Sequence, residues 1–360
     1  MGRIVERSAW RGWGRMVAGA IALGLGSGAA EGQQDKIRTT PTGWAWEFGA
    51  SSAAIDTNLA GGLRPFAFSR IGTDQYDTCY VSNAGAYAVP GADVLYGLEE
   101  SSLILSLALG GDRIIDLEAY DTILGVRFNA IVVPNAGGTQ VSSWDWAHGL
   151  TWAQVATWLD ARPTLRPIDI DAYMVGGALR YSVVAVVNAG VNAVEDWWIG
   201  TAAGADTVRA AMVANDARLV DIEVVDAPPQ WGAASYAYIM VPRGDVRSDW
   251  FTECVSGQIP GLVSQVGSRI VCLERYPIGG QTYYSVVTSD NMDSQSGRVR
   301  DFIMGDERGL ESTSNIEDGT MGFLAKEVGG PVVAALHEDL VWEPASTVKL
   351  LHAVYALWQC

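Results

Sequence analysis

The chain is poor in lysine and in positive charge generally. Its 360 residues carry a formal net charge of -17, and lysine occurs only at Lys36, Lys326 and Lys349. A surface dominated by Asp and Glu repels polyanions, so nucleic acids and anionic membranes are not expected partners. The apolar content of 49% is sufficient to bury the core of one repeat array or of two domains.

Cysteine and histidine are scarce as well. Four cysteines are too few for a scaffold built from disulfides but allow one bridge in an oxidising compartment, for which Cys254 and Cys272 are the best pair. His148, His337 and His352 lie far apart, with no Cys or carboxylate pattern around them. We therefore expect no metal ion and no cofactor, and we interpret the histidines as surface or packing residues.

The amino terminus has the three-part layout of a secretory signal. Four arginines precede an apolar run from Met16 to about Gly26, and small residues follow before Glu31. The run is too short to span a bilayer, which makes a membrane anchor the less favoured alternative. No cysteine stands at the cleavage point, which argues against a lipoprotein. The sequence predicts a signal peptide over 1–30, a leader segment over 31–43 and a secreted or periplasmic product.

A pattern of about fifty residues recurs five times, which is typical of a repeated supersecondary unit. Each copy opens with an arginine-led apolar run, and the five arginines are Arg64, Arg113, Arg166, Arg218 and Arg269. A second β-type run such as 181–187 follows, so the two runs predict a hairpin. In three copies the hairpin is followed by Asn-Ala-Gly, residue types that stop a strand; these steps begin at Asn83, Asn135 and Asn188.

An Asp-Trp step and a helix-like segment complete the unit. The steps begin at Asp145, Asp196 and Asp249, and Asp at this place is interpreted as a helix cap, with Trp as a packing anchor. A helix-like segment such as 151–159 comes next. One hairpin-plus-helix unit cannot bury its apolar side alone, so neighbours must stack. The predicted fold class is α+β, with tandem hairpin-plus-helix repeats over 44–305 forming a curved antiparallel sheet with helices on one face.

Acidic residues alternate with apolar ones in the arginine-led strands. They are Asp116, Glu118, Asp169, Asp171, Asp221, Glu223 and Glu274. The period of two places them on the face away from the core, so a solvated sheet face is the favoured interpretation. A site for divalent cations such as calcium is the alternative, since hard cations prefer oxygen ligands.

This repeat pattern resembles the bacterial tandem-repeat units found ahead of β-lactamase-like domains, and the amino-terminal domain of fungal polyglycine hydrolases. The resemblance covers roughly residues 44–305 and rests on the arginine-led strand, the second strand and the Asp-Trp step. It does not indicate what the repeats bind.

A new module is predicted after a polar linker over 306–318. Two β-type runs, 321–326 and 331–336, form a hairpin signal, and Ser346-Thr-Val-Lys349 follows. On a helix, positions three apart share a face, which puts the Lys349 amine near the Ser346 hydroxyl. Pro344 suits the first helical turn, where the dipole favours a developing alkoxide. Lys349 can then accept the serine proton. An ordinary capped amphipathic helix is the alternative.

The segment 319–360 resembles the start of class A β-lactamase-like domains of the penicillin-binding-protein superfamily. The resemblance implies an active-site serine hydrolase with Ser346 and Lys349 as catalytic residues and a β-lactam, peptide or peptidoglycan substrate. The family's later Ser/Tyr-x-Asn and Lys-Thr-Gly elements do not follow Ser346, and Ser289-Asp-Asn291 lies upstream, where we interpret it as a strand exit. We therefore expect these 360 residues to be an incomplete, inactive fragment. The alternative is a secreted, non-catalytic repeat binding protein.

Overall fold

The computed structural model describes residues 35–226, 234–244, 246–291, 323–326 and 332–336. The chain divides into two compact units, residues 1–291 and 292–360. The predicted signal peptide over 1–30 and the predicted linker over 306–318 lie outside the described residues. Among the helices that are described, none is both long and apolar enough to cross a membrane.

The first unit contains five β-α-β-β repeats, and the predicted α+β class is confirmed. Each repeat has a first strand, a helix, an inner strand and a central strand, in that chain order. The first repeat comprises β1 (Trp44–Ala50), α1 (Ser52–Ala60), β2 (Leu63–Gly72) and β3 (Gln75–Ser82); the second β4 (Asp93–Leu98), α2 (Glu100–Gly110), β5 (Asp112–Tyr120) and β6 (Arg127–Pro134); the third β7 (Trp144–Leu150), α3 (Trp152–Asp160), β8 (Leu165–Val175) and β9 (Ala178–Val187); the fourth β10 (Trp198–Gly204), α4 (Ala205–Asn215), β11 (Ala217–Asp226) and β12 (Ser235–Pro242); the fifth β13 (Trp250–Cys254), α5 (Ile259–Val266), β14 (Ser268–Ile278) and β15 (Gln281–Asp290).

The described strands of the first unit form five separate three-stranded antiparallel sheets, with the third strand of each repeat in the middle, as in the order β1-β3-β2. The predicted hairpins are therefore present, while the hydrogen-bonded ladder is divided among the repeats. The five inner strands β2, β5, β8, β11 and β14 contact one another in sequence, and β14 also contacts β2. The sheets thus close into a ring, an arrangement that leaves only short, protected edges.

The Asp-Trp steps were expected to cap helices, and this interpretation is wrong. Asp145 lies inside β7, and Trp250 begins β13. Helix α3 instead begins after Thr151, whose hydroxyl accepts the backbone N–H of Gln154 while the Gln154 side chain accepts the N–H of Thr151. The motif is therefore a strand opening, and the cap stands several residues later, at a residue type that also favours that role.

The Asn-Ala-Gly steps end the third strands as predicted. Asn83, Asn135 and Asn188 each accept the backbone N–H of the residue six positions later, at 2.7 to 2.8 Å. Their amides donate to the carbonyl of the same residue. The glycine of each step has a φ between 56° and 60°, a conformation that side chains with a Cβ rarely adopt. Each step therefore fixes the loop that leads into the next repeat.

The second unit is described only as a two-stranded antiparallel sheet, β16 (Phe323–Lys326) paired with β17 (Val332–Leu336). This pair matches the hairpin predicted from the runs 321–326 and 331–336.

Candidate functional site

The inner strands present matching positions toward the centre of the ring. The arginine layer consists of Arg64, Arg113, Arg166, Arg218 and Arg269. Three positions later stands the aspartate layer of Asp116, Asp169 and Asp221, with Ala67 and Cys272 at the matching places of the first and fifth repeats. Two positions further stands the carboxylate layer of Glu118, Asp171, Glu223 and Glu274, with Ser69 in the first repeat.

A β-bulge in every inner strand aligns the first two layers. Residues three apart point to opposite faces of a regular strand. Each inner strand has a register shift between the arginine and the third residue after it, for example between Ile114 and Asp116. The extra residue lets the arginine and the aspartate face the same way. The alternation of residue types did not reveal this bulge.

The expected solvated face is contradicted by the burial of five of the seven acidic residues, while Glu118 and Glu223 are half-buried. Asp116, Asp169 and Asp221 are at most 5% exposed. Each accepts a backbone N–H from the inner strand of the preceding repeat, as when Ile170 N–H donates to Asp221 Oδ2 at 2.8 Å. The inner strand is the edge of its own sheet, so its outward N–H groups would otherwise lack partners. The aspartates therefore join neighbouring sheets where no ladder does.

Lys36, from the predicted leader segment, ends inside the aspartate layer. Its Nζ lies 3.1 Å from Asp116, 3.3 Å from Asp169 and 2.6 Å from Asp221, and Lys36 is 1% exposed. Burial alone would lower the pKa of the Lys36 ammonium, but the three carboxylates outweigh it and raise the pKa well above its ordinary value. One ammonium cannot neutralise three carboxylates, and burial together with Asp116 raises the pKa of Asp169 well above its ordinary value.

Three of the five residues of the arginine layer bind the backbone and the acidic side chain of the segment 35–38, whereas Arg113 and Arg166 donate to loop carbonyls of their own repeats. Arg64 donates two hydrogen bonds to the Asp35 carboxylate, at 2.8 and 2.9 Å. Arg218 donates to the carbonyls of residues 36 and 37, and Arg269 to those of residues 35 and 38. Burial disfavours the Asp35 charge, but Arg64 and its neighbours hold the pKa of this carboxyl below its ordinary value. A charged Asp35 is therefore the expected form.

The carboxylate layer brings several acidic groups close together, with no basic side chain of the described residues among them. Oxygen atoms of Glu118, Asp171 and Glu223 lie within 4.8 Å of one another, close enough to share one cation. Burial, with Glu274 and Asp171 nearby, raises the pKa of Glu223 well above its ordinary value. Burial raises the pKa of Asp171 to about 7, although hydrogen bonds from Ala119 and Ser182 oppose the shift. These groups either share protons or require a counter-cation.

Contacts between the fifth and first repeats close the ring. Arg275 donates two hydrogen bonds to the buried Asp77 carboxylate, at 2.6 and 2.7 Å. The Ser69 hydroxyl donates to Glu274 at 3.0 Å. The Asn291 amide pairs with both backbone polar groups of Thr42. The Ser289-Asp-Asn291 stretch thus lies at the exit of β15, as interpreted from the sequence. Its Asn belongs to the seam, the set of contacts by which the fifth repeat and residue 291 meet the first repeat and residue 42.

The candidate disulfide between Cys254 and Cys272 is not formed, since both residues have free thiols. Cys272 instead occupies the fifth repeat's place in the aspartate layer, where its Sγ donates to the Ile222 carbonyl at 3.3 Å. Cys254 ends the first strand of the fifth repeat, whereas Cys272 lies in its inner strand.

The sequence-predicted catalytic residues Ser346 and Lys349 lie outside the described residues, as do His337 and His352. The sequence did not predict the buried cluster around Lys36, because this lysine belongs to no repeat. The scarcity of lysine was the available signal, because Lys36 is the one lysine before residue 326 and it precedes five arginine-led strands, four of which carry acidic residues.

Compared with protein-family models and with the sequences of curated proteins, the chain matches none of them.

Proposed function

We propose that the protein is an exported serine hydrolase of the β-lactamase and transpeptidase type, which forms an acyl-enzyme at Ser346. The observation that carries the proposal is Ser346-Thr-Val-Lys349 placed shortly after a hairpin, and the antiparallel pair β16–β17 supports that placement. The substrate class is a β-lactam or a peptide bond, including peptidoglycan peptides. The ring of repeats then serves to bind a substrate or a surface.

The proposed chemistry needs only two side chains for its first step. Ser346 Oγ attacks the carbonyl carbon, and its proton passes to the Lys349 amine. The bond to the leaving nitrogen breaks, that nitrogen takes up a proton, and an ester to Ser346 remains until water hydrolyses it. A neutral lysine one helical turn from a serine is the arrangement this step requires.

A fluorescent penicillin, incubated with the full-length gene product, tests this proposal. We expect covalent label on the wild-type protein and on Thr347→Ala, and none on Ser346→Ala. Thr347 is the matched control because it neighbours the proposed nucleophile without taking part in the reaction. Label that survives Ser346→Ala would contradict the assignment, and so would a wild-type protein that takes up neither the penicillin nor a fluorophosphonate probe.

A non-catalytic repeat binding protein is the second candidate function, and one observation favours it. The matching residues of the repeats converge on a central site that holds residues 35–38, a segment outside every repeat. Repeat proteins commonly use such convergent positions for recognition. Absence of any label at Ser346, together with ligand uptake by the ring, would favour this candidate over the hydrolase.

A further inference from the structure

Residues 35–38 contact the ring as a bound peptide contacts a receptor. The segment forms one turn, in which Arg38 N–H donates to the Asp35 carbonyl at 3.3 Å, and it belongs to none of the strands or helices of the repeats. All four of its backbone carbonyls are involved in hydrogen bonds from Arg218 or Arg269. The Asp35 carboxylate pairs with Arg64, and the Lys36 ammonium pairs with the three residues of the aspartate layer.

We propose that the arginine and aspartate layers together form a peptide-binding site for a turn that carries an acidic residue followed by lysine. In this chain, residues 35–38 occupy the site as an intramolecular ligand, and the same turn on another polypeptide competes for it. The inference names the ligand class for the binding role of the ring and rests on that role, which both candidate functions share, so it is independent of the chemistry at Ser346.

The aspartate layer fits a primary ammonium by geometry as well as by charge. An ammonium has three donors around one nitrogen, and Lys36 Nζ directs them to carboxylates from three different repeats. A guanidinium is planar and presents its donors in a fork, which suits two oxygens of one carboxylate. Arg64 uses that geometry on Asp35. The site therefore discriminates between the two cationic side chains.

The order of charges along the ring fits the order of residues in the turn. The arginine layer faces Asp35, and the aspartate layer, three residues further along each inner strand, receives Lys36. A turn with the two charges exchanged would meet like charge in both layers.

The connection between the turn and the first repeat is short and accessible. Thr39, Thr40, Pro41 and Gly43 are exposed, and β1 begins at Trp44. A short tether keeps the local concentration of the turn on the order of millimolar, so an untethered peptide competes poorly with it. Cutting the tether after folding removes this advantage without requiring a truncated chain to fold.

The experiment uses the full chain with a site for a sequence-specific protease inserted between Thr39 and Thr40. After cleavage, a fluorescently labelled peptide of residues 31–39 is added and its anisotropy is followed. We expect uptake of one peptide per cut molecule and at least tenfold less by the uncut protein. Peptides carrying Lys36→Met or Lys36→Arg should bind at least tenfold more weakly, and Thr39→Ala is the control peptide that should bind unchanged.

Two results would overturn the inference. A cut protein that keeps its own segment and takes up no labelled peptide after prolonged incubation would show that residues 35–38 are a permanent part of the core. Equal uptake of the Lys36→Met peptide would show that the aspartate layer does not select the ligand. Neither result bears on penicillin labelling at Ser346, so failure of this inference and failure of the hydrolase proposal are distinguishable.

Discussion

At the scale of single residues, the ring depends on charged side chains that are buried, although burial of a charge usually destabilises a protein. Each aspartate of the central layer accepts a backbone N–H from the neighbouring sheet, and all three share the Lys36 ammonium. A buried carboxylate is tolerated when it is paired and hydrogen-bonded. The sequence showed the acids and their period, but the bulge that buries them has no sequence signal of its own.

Removing the Lys36 ammonium should destabilise the ring strongly. Lys36→Met keeps the side-chain length and leaves three buried carboxylates without their counter-charge, so we expect a loss of about 3–5 kcal/mol in the free energy of unfolding. Urea unfolding followed by tryptophan fluorescence measures it. The exposed substitution Thr39→Ala is the control, expected to stay within about 0.5 kcal/mol of wild type. A Lys36→Met protein as stable as this control would contradict the central ion cluster.

The carboxylate layer should make stability depend on pH. The folded-state pKa of Glu223 lies above its ordinary value of 4.5, so its contribution is fully favourable below that value and is lost as pH rises through the folded pKa. Glu223→Gln should therefore leave the free energy of unfolding nearly unchanged at about pH 4 and raise it by about 1 kcal/mol at about pH 8. Urea unfolding at both pH values measures this, with the exposed Glu195→Gln as control. An equal effect at both pH values would be inconsistent with the crowded carboxylates.

At the scale of elements, the sequence predicted local features better than the arrangement of the repeats. Hairpins and strand-ending Asn-Ala-Gly steps follow from local chemistry, and the structure confirms them. The Asp-Trp step misled because Asp is a frequent helix cap, whereas here Asp145 lies in a strand and accepts a hydrogen bond from Arg162 at 2.6 Å. Closure of the repeats into a ring could not be predicted, because it depends on contacts between residues about two hundred positions apart, such as Ser69 and Glu274.

The cap of α3 gives a test at this scale. Thr151→Ala removes the hydroxyl that accepts the Gln154 N–H, and the expected loss is about 1 kcal/mol in the free energy of unfolding. Thr151→Ser keeps the hydroxyl and should stay close to wild type. The two variants differ in unfolding midpoint if the helix begins at residue 152; identical midpoints would place the helix start elsewhere.

At the scale of the whole first unit, closure distinguishes a ring from an open stack of repeats. An open array can unfold from its ends, because each unit contacts only its neighbours. In the ring the fifth repeat contacts the first through Arg275 and Asp77, and Asn291 pairs with Thr42. Every repeat therefore has two neighbours, and unfolding is expected to be a single cooperative transition.

Opening the seam should affect the entire unit. Arg275→Met leaves the buried Asp77 carboxylate unpaired, with an expected loss of about 3 kcal/mol. Asp77→Asn in the same chain should restore part of that loss, since it removes the stranded charge. Glu99→Gln, which removes the exposed partner of an ion pair with Arg127 inside the second repeat, is the control and should cost less than about 1 kcal/mol. A seam variant no less stable than the control, measured by urea unfolding, would argue for an open array.

The location of Lys36 is the feature on which the closed, filled ring depends most directly, and amine-specific labelling measures it. Reductive methylation of the native protein, read by mass spectrometry after digestion, should leave Lys36 unmodified, because its ammonium is enclosed by Asp116, Asp169 and Asp221. The same reaction in concentrated urea should methylate it fully. Methylation of Lys36 in the native protein at the rate of free Nα-acetyl-lysine would contradict a ring closed around this side chain.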